Sequence, residues 1–368
     1  MLQNIFLFIV VFGLLIFIHE LGHFVAARLL GINVEEFGFG YPPRLLKLFT
    51  WKGTEFTLNW IPFGGFNRIS GENDPDVPGG MANARPITRF AILVAGPLMN
   101  LIAGILIFTF VIARQGTPDL STVVIASVTE GSPAQAAGLQ INDIIRKVNG
   151  QPIESTETLQ QLVAGSEGNQ LIITYQRNEA LAETELTPRF NDEYQRYMIG
   201  IAMTNPSTPV PAIQAFPRAM QVAYEQAALF FKLPGMIARG EVSQEDARLL
   251  GPVSMGRLFI YAREMDSEVQ ASQTEPSPSQ PGQAAQPPPA VYTLSLMGML
   301  SIALAITNLL PFPALDGGRI LLLLPEVITR KRVPARFENA LNMVGFALLI
   351  VLMFYVTTQD FFNPIQFP

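Results

Sequence analysis

The residues best suited to chemistry are two histidines and a glutamate in one short segment. His19, Glu20 and His23 have the spacing H-E-x-x-H, and the chain holds only these two histidines. On a helix, residues four apart lie one turn apart on nearly the same face, so both imidazoles can reach one Zn²⁺ ion. Glu20 then lies where a carboxylate can act as the catalytic general base on a water molecule. The spacing therefore predicts a hydrolytic zinc site.

A third metal ligand is expected near the end of another apolar run, in the sequence N-L-L-P-F-P-A-L-D-G-G-R of residues 308–319. Two prolines must interrupt a helix there, and two glycines then allow the backbone to turn. Catalytic zinc usually has three protein ligands, and without cysteine the third must be a carboxylate. We predict that Asp316 is this ligand and that the amide of Asn308 binds substrate backbone or the developing oxyanion.

Composition indicates a membrane protein. Hydrophobic residues make up 49% of the 368 residues and charged residues only 15%, unlike an ordinary soluble protein. The first apolar run is not expected to be a cleaved signal peptide, because the histidine motif lies inside it and no Lys or Arg precedes it. We predict a polytopic α-helical fold with four transmembrane helices, since four runs reach or approach the roughly 17 to 25 residues needed to cross a bilayer. These runs are 2–18 continuing into the motif, 90–113, 294–310 and 341–356.

The basic residues predict how the chain is oriented. They concentrate in residues 31–89 and 319–336, which the positive-inside rule places in the cytoplasm. Both termini and residues 115–292 are then extracytoplasmic, and the predicted zinc site lies near the cytoplasmic side of the cell membrane. The net charge is −6, and no domain combines basic residues with interleaved aromatics, so nucleic acid is not an expected partner.

A membrane-associated β-hairpin is expected on the cytoplasmic side, within residues 31–89. β-branched and aromatic residues there are followed by the turn sequence P-F-G-G-F. Its aromatic residues favour insertion into the membrane beside the motif, and a small soluble core is the alternative. An unpaired strand edge can hold an extended peptide by main-chain hydrogen bonds. The predicted substrate-binding strand consists of Phe56, Thr57, Leu58, Asn59 and Trp60.

The second crossing contains a polar residue, Asn100, one turn after Gly96 and Pro97. A polar side chain in lipid is costly, so Asn100 is expected to face the protein interior. Two roles remain open for it, namely substrate binding and helix packing.

The segment between the second and third crossings begins with a predicted α+β domain. Its sequence G-S-P-A-Q-A-A-G-L, residues Gly131 to Leu139, is similar to that of bacterial PDZ domains, which bind peptides by strand addition. No G-L-G-F or Y-I-G-I-like carboxylate loop precedes Val123, where Asp119 to Thr122 stand instead. Peptide binding and filtering of substrates by size are therefore both retained as roles.

The predicted domain order follows from these features and from a Pro- and Gln-rich stretch, which is typical of a flexible linker. The ranges are 1–30 for the first crossing, 31–89 for the hairpin, 90–113 for the second crossing, 117–203 for the extracytoplasmic PDZ domain, 212–263 for amphipathic helices at the outer membrane face, 264–290 for the linker, 291–318 for the third crossing, 319–336 for the basic segment and 337–358 for the fourth crossing.

Five motifs, in order, resemble those of the site-2 protease family of intramembrane zinc metalloproteases, in particular the regulator of sigma-E protease type with a single PDZ domain. They are HELGH (19–23), GPLMN (96–100), the PDZ sequence (131–139), GPVS (251–254) and NLLPFPALDGG (308–318). The resemblance implies regulated cleavage of single-pass transmembrane proteins, such as anti-sigma factors or remnant signal peptides, within or near the lipid bilayer. It also implies one zinc ion per chain held by His19, His23 and Asp316, with Glu20 as general base.

Two other functions are compatible with parts of the pattern. In the first, the chain is a membrane adaptor whose PDZ domain recruits a peptide partner and whose metal is structural. Structural zinc usually has four protein ligands, for which neither cysteine nor a third histidine is present. In the second, the chain transports metal, but no series of further ligands crosses the predicted membrane spans. A zinc-loaded but inactive Glu20→Gln variant would favour the protease.

Overall fold

The computed structural model describes residues 2–192, 194–242, 248, 250–274, 290–330 and 332–364. It divides into two compact units: the second unit comprises Ile112–Pro211, and the first unit comprises the chain on either side of it. Each unit is described by itself. The helices are α1 (Leu2–Leu29), α2 (Pro86–Gln115), α3 (Pro133–Ala136), α4 (Thr156–Ala164), α5 (Ala212–Ala238), α6 (Pro252–Thr274), α7 (Val291–Asn308), α8 (Asp316–Thr329) and α9 (Ala335–Phe362).

Four helices in the described residues, α1, α2, α7 and α9, are long and apolar enough to cross a membrane. They coincide with the four apolar runs of the sequence. A helix suits these runs because it satisfies all its backbone hydrogen bonds within the segment, which lipid demands. The protein is therefore a multi-pass membrane protein. The shorter α8 follows α7 after a proline-containing turn, and α5 is a long continuous helix that contains Pro217 and Pro234.

The predicted hairpin is larger than the sequence suggested. The strands β1 (Val34–Trp51) and β2 (Thr54–Ile69) are so long that each folds back and pairs twice. The stretch 55–58 consequently lies between two neighbouring stretches, whereas 65–69 pairs along one side only. The pairings are 44–51 with 54–59 and 34–39 with 65–69, both antiparallel, and 36–39 with 55–58, in which the residue numbers rise together.

The second unit is a six-stranded sheet with two short helices, consistent with the predicted α+β domain. Its core contains Ile125, Ile145, Leu159 and Ile173, all 2% exposed or less. Ser132 and Ser155 begin α3 and α4 by accepting hydrogen bonds from backbone amides, as N-cap serines do. The strands are β3 (Thr117–Pro118), β4 (Val123–Val128), β5 (Ile144–Val148), β6 (Gln151–Pro152), β7 (Leu171–Arg177), β8 (Ala180–Leu186), β9 (Arg189–Asn191), β10 (Arg196–Met198), β11 (Ile201–Thr204) and β12 (Ser207–Thr208).

Helix α6 packs against α1 and α7 through an apolar cluster that contains Phe8, Phe259 and Leu296. The carboxylate of Asp360, near the end of α9, accepts hydrogen bonds from the backbone and hydroxyl of Ser254 at the start of α6. The predicted linker, 264–290, lies mostly outside the described residues, and its first part belongs to α6. Residues 264–274 can be helical because the prolines of the stretch begin only at Pro276.

Candidate metal centre

Helix α1 places His19 and His23 on one face, with their ring centroids 4.8 Å apart. The two Nε2 atoms are 3.1 Å apart, so both point toward the same space. His23 Nδ1 lies 2.8 Å from the carbonyl oxygen of Ile92 and donates a hydrogen bond to it. This bond assigns the ring proton to Nδ1 and leaves a lone pair on Nε2, which is the arrangement of a metal-binding histidine.

Asp316 is the first residue of α8, and its carboxylate meets both histidines. Oδ2 lies 3.1 Å from His19 Nε2 and 3.3 Å from His23 Nε2. The turn before α8 is sharp, and its left-handed residue is Ala314 with φ +72° rather than a glycine. Gly317 and Gly318 serve close approach instead, because a Cβ on either would lie within 2.2 Å of a carbonyl oxygen of the preceding turn. The expectation that these glycines provide turning freedom is thus corrected.

The three ligand atoms fit a zinc ion. Zinc bonds of about 2.0–2.1 Å in a tetrahedron set neighbouring ligands roughly 3.3 Å apart, which matches the observed 3.1–3.3 Å. Asp316 Oδ2 is buried without a hydrogen-bond donor in the described structure. A lone pair on His23 Nε2 and a carboxylate oxygen at this distance repel each other unless a cation lies between them. His19, His23 and Asp316 are therefore well suited to hold zinc.

Glycines allow the backbone to approach these side chains closely. A Cβ on Gly96 of α2 would lie 2.3 Å from His23 Nε2, and one on Gly22 would lie 2.3 Å from the carbonyl oxygen of Ala95. A Cβ on Gly65, in the outer stretch of the hairpin sheet, would lie 2.9 Å from Cγ of Glu20. Helix α2 and the hairpin thus press against the motif from two sides.

Glu20 lines a small cavity beside the metal ligands, together with His23 and Asp316. The cavity has a volume of about 40 Å³. Its other walls come from the hairpin, the loop that follows it, α2 and α8, so five segments including α1 line it. A carboxylate here faces the space where the ligand atoms converge, which is the placement required of a general base.

Phe56 to Leu58, the first part of the predicted substrate strand, lies in the interior of the hairpin sheet. Residues 55–58 pair on both sides, and Thr57 and Asn59 are 2% and 3% exposed. The main chain of 55–58 therefore has no free edge to offer a substrate, whereas Asn59 pairs only with Arg44 in the described residues. The stretch 65–69 pairs on one side only in the described structure, and it also approaches Glu20 through Gly65. Sequence periodicity could not locate the free edge, because the edge arises from the fold-back of both strands.

A buried carboxylate holds the hairpin together. Glu36, 4% exposed, accepts hydrogen bonds from Thr57 at 2.9 Å and Arg44 at 3.0 Å and lies 3.2 Å from Arg68. Burial raises the pKa of this carboxyl, but the bonds from Arg44 and Thr57 outweigh burial and hold its pKa below the ordinary value. Glu36 therefore stays ionised and links its own stretch of the sheet to three others.

The two predicted asparagines behave differently. Asn100 is fully buried, and in the described structure neither polar atom of its side chain has a hydrogen-bond partner. The amide of Asn308 donates a hydrogen bond to the carbonyl oxygen of Leu304 in its own helix, 2.9 Å away. Asn308 must rotate before it can bind a substrate oxygen, whereas Asn100 keeps its hydrogen-bonding groups free.

An ionic network that was not predicted from the sequence lies next to the metal centre. Arg319, one turn after Asp316, binds the carboxylate of Glu72 in the loop after β2 and the amide oxygen of Asn73 at 2.8 Å. Arg89 of α2 binds Glu326 of α8 at 2.7 Å. The network ties α8 to the hairpin loop and to α2. The arginine of D-G-G-R was a visible signal, but its partners are distant in sequence.

A second site that the sequence did not reveal is a groove between α4 and β11, termed the α4–β11 groove. It is lined by apolar side chains of α4 and by Tyr197 to Ile201, which lead into β11. Strand β11 forms one edge of the six-stranded sheet. The sequence Y-M-I-G-I at this point resembles the carboxylate loop that was sought before Val123. The strand beside α4 comes last of the six strands in this sheet, so the pattern lies at the end of the unit and not before Val123.

Comparisons with known proteins agree with this geometry. The model of peptidase family M50 matches residues 7–352. Two relatives, from Clostridium perfringens and Campylobacter jejuni, carry the name "Putative zinc metalloprotease". The first is 34% identical over 96% of this chain and 97% of its own length, and the second is 31% identical over 96% and 91%.

Some solved structures are similar to a part of the chain. The PDZ domain of an SdrC-like protein from Listeria innocua is 25% identical, covers 22% of this chain and 92% of its own length, and has a TM-score of 0.21. A solution structure from Geobacillus thermodenitrificans is also 25% identical, covers 23% of this chain and all of its own, and has the same TM-score.

Proposed function

The chain belongs to peptidase family M50 and is a zinc metalloprotease, and from this premise we propose that it cleaves single-pass transmembrane proteins within or near the bilayer. The observation that carries the proposal is the position of the predicted ligands. His19 and His23 lie inside a membrane-spanning helix, and Asp316 reaches them from α8. Peptide bonds reach such a site from the membrane region more directly than from solution. One zinc ion per chain accounts for the three ligand atoms.

The proposed reaction divides its tasks among these residues. When bound, zinc polarises the scissile carbonyl and lowers the pKa of a water to about 7. The carboxylate of Glu20 removes the proton from the attacking water and returns it to the nitrogen of the leaving amine. The Nδ1–H of His23 stays bonded to Ile92, which keeps the ring oriented through the reaction. Asn100 and Asn308 supply amide groups for the substrate backbone or oxyanion.

The substrate must be extended at the scissile bond. A transmembrane helix hides its carbonyl groups in its own hydrogen bonds, so part of the substrate has to unwind. We propose that the stretch 65–69 holds the unwound segment by strand addition, with Gly65 bringing it beside Glu20. This moves the proposed substrate strand from 56–60 to the neighbouring free edge. Interior residues such as Thr57 then support the sheet rather than bind substrate.

The second unit is proposed to bind an extracytoplasmic peptide of the substrate. The α4–β11 groove combines a strand edge with an apolar lining, as strand addition requires. Gly200 has φ +76°, so the loop before β11 turns in a conformation that favours glycine. Such a loop points amides at a terminal carboxylate. Filtering by size is the competing role of the same unit.

The proposed orientation places the second unit and both termini outside the cytoplasm and the metal centre near the cytoplasmic side. The support is the basic character of 31–89 and 319–336. Anti-sigma factors and remnant signal peptides are the proposed substrate classes. The chain is expected in the cell membrane. A structural-metal adaptor is disfavoured, because a general base lines the cavity beside the ligands.

The test uses the full chain in nanodiscs with a tagged single-pass substrate, and measures bound zinc and cleavage together. Glu20→Gln should keep one zinc and lose about 100- to 10,000-fold in rate. Asp316→Ala should lose both zinc and activity. Glu35→Gln, an exposed carboxylate in the hairpin, is the matched control and should behave as wild type. Equal cleavage by Glu20→Gln and wild type would refute the proposed mechanism.

A further inference from the structure

A second groove lies at the end of the bundle near the metal centre, between the start of α2 and helix α8. It is termed the α2–α8 groove and is distinct from the catalytic cavity. Its lining combines apolar side chains with charged residues at its ends. The lining residues are Arg85, Pro86, Ile87, Phe90, Ile320, Leu323, Leu324, Glu326, Val327 and Arg330.

The groove lies at the boundary of the predicted membrane region. The membrane-spanning helix α2 begins at Pro86, so Arg85 lies where the apolar span starts. Helix α8 has 14 residues, too few to cross a bilayer. It still exposes Val327 (60%) and Ile328 (80%), an unusual share of apolar surface unless lipid covers it. The ion pair between Arg89 and Glu326 fixes α8 to the start of α2, so the groove is preformed.

The charges of the groove favour an anion. Arg85 and Arg330 line it and are exposed, and in the described part of the chain neither guanidinium is paired with a carboxylate. The carboxylate in the lining, Glu326, is neutralised by Arg89 at 2.7 Å. Two arginines beside an apolar channel therefore present positive charge at the level of the lipid headgroups.

We propose that the α2–α8 groove binds one anionic phospholipid. Arg85 and Arg330 bind the headgroup phosphate, because guanidinium groups suit phosphate geometry. Ile87, Phe90 and Leu324 contact an acyl chain. A free phosphate ion would leave the apolar lining unused, and a zwitterionic lipid would place a third cation beside the two arginines. This proposal does not depend on the proposed proteolytic function.

Native mass spectrometry of the full chain can test this site. The protein is released from micelles that contain equal amounts of phosphatidylglycerol and phosphatidylcholine, and the retained lipid is counted. The wild-type protein should retain one molecule of phosphatidylglycerol in preference to phosphatidylcholine. Arg85→Gln/Arg330→Gln should lower that preference about 30-fold, since each arginine near the membrane surface contributes roughly 1 kcal/mol. Helical content and bound zinc, measured in parallel, should not change.

Matched variants separate this groove from general surface charge. Arg332→Gln/Arg336→Gln removes two charges from the adjacent segment outside the groove and should leave lipid retention unchanged. Ile87→Asn/Val327→Asn should weaken retention of long-chain but not dihexanoyl phosphatidylglycerol. Equal losses in the two arginine pairs, no loss in Arg85→Gln/Arg330→Gln, or displacement of the lipid by millimolar inorganic phosphate would overturn the proposal.

Discussion

The metal centre and the α4–β11 groove are both proposed to meet substrate, yet they differ in how much change they tolerate. At the metal centre, three buried polar atoms from α1 and α8 lie 3.1–3.3 Å apart, and Gly96 of α2 packs directly against one of them, His23 Nε2. The groove offers apolar side chains and a strand edge open to solvent. Close packing of polar atoms fixes positions to fractions of an ångström, whereas strand addition accommodates many peptides.

The two sites should therefore respond differently to the same kind of substitution. A methyl group added at the metal centre has to displace a ligand, since its neighbours are backbone atoms or histidine rings. A methyl group near the groove can move its loop and alter the surface that a peptide meets, but it displaces no metal ligand. Catalysis depends steeply on position, with about 100-fold lost for a misplacement of 1 Å, while peptide affinity changes gradually.

Among residues that are neither metal ligands nor the general base, the largest effect is expected from Gly96→Ala. Its Cβ would lie 2.3 Å from His23 Nε2, so the imidazole has to leave the position where it meets Asp316. We expect cleavage to fall about 100-fold or more and zinc affinity to fall with it. The measurements are turnover of a single-pass substrate and zinc competition with a chelator.

Gly256→Ala provides the control for helix substitution. Gly256 lies in α6, and its Cβ would make ordinary contacts of 3.7–3.8 Å with Phe8 of α1, so activity and zinc binding should remain as in wild type. Normal zinc affinity and turnover in Gly96→Ala would show that the metal centre adapts, and the contrast with the groove would then disappear.

A smaller effect is expected from Arg319→Gln. Arg319 does not touch the ligand atoms, but it holds the first turn of α8 by bonding Glu72 and Asn73. Partners of this kind typically contribute 10- to 100-fold to metal affinity, so a loss of about tenfold is expected in zinc affinity. Arg319→Lys keeps the charge and should recover part of the loss.

The control for this prediction is Arg336→Gln, an exposed arginine that should leave zinc affinity unchanged. If the glutamine and lysine variants lose zinc equally, the bidentate geometry of the guanidinium rather than its charge positions α8. If neither variant loses zinc, the network does not position the metal centre.

The residues of the metal centre could be predicted because each signal is local. The spacing of His19 and His23 on a helix and the proline break before Asp316 lie within single segments. The hairpin edge at 65–69 could not be predicted, because it depends on which stretches meet when both strands fold back. Gly96 and Arg319 were visible in the sequence, but their roles depend on contacts with His23 and Glu72, which are distant in the chain.

Gly200→Ala tests peptide binding in the α4–β11 groove. Its effect on catalysis is expected to be the smallest of the substitutions considered. Gly200 has φ +76°, and a Cβ there would lie 2.3 Å from Cβ of Ser132, so the loop before β11 has to move. Gly150→Ala introduces similar backbone strain at φ +79° with no atom near its Cβ, and is therefore the matched control.

Fluorescence anisotropy of a peptide with an apolar C-terminus, added to the full chain, measures the outcome. We expect Gly200→Ala to weaken peptide binding about tenfold, as the loss of roughly 1.4 kcal/mol from displaced carboxylate-loop amides implies. Gly150→Ala should bind as wild type. Zinc content and cleavage of a substrate without an extracytoplasmic tail should be unchanged in both variants. Unaltered peptide binding in Gly200→Ala would contradict the carboxylate loop and leave size filtering as the role of the second unit, since a filter needs bulk but no loop geometry.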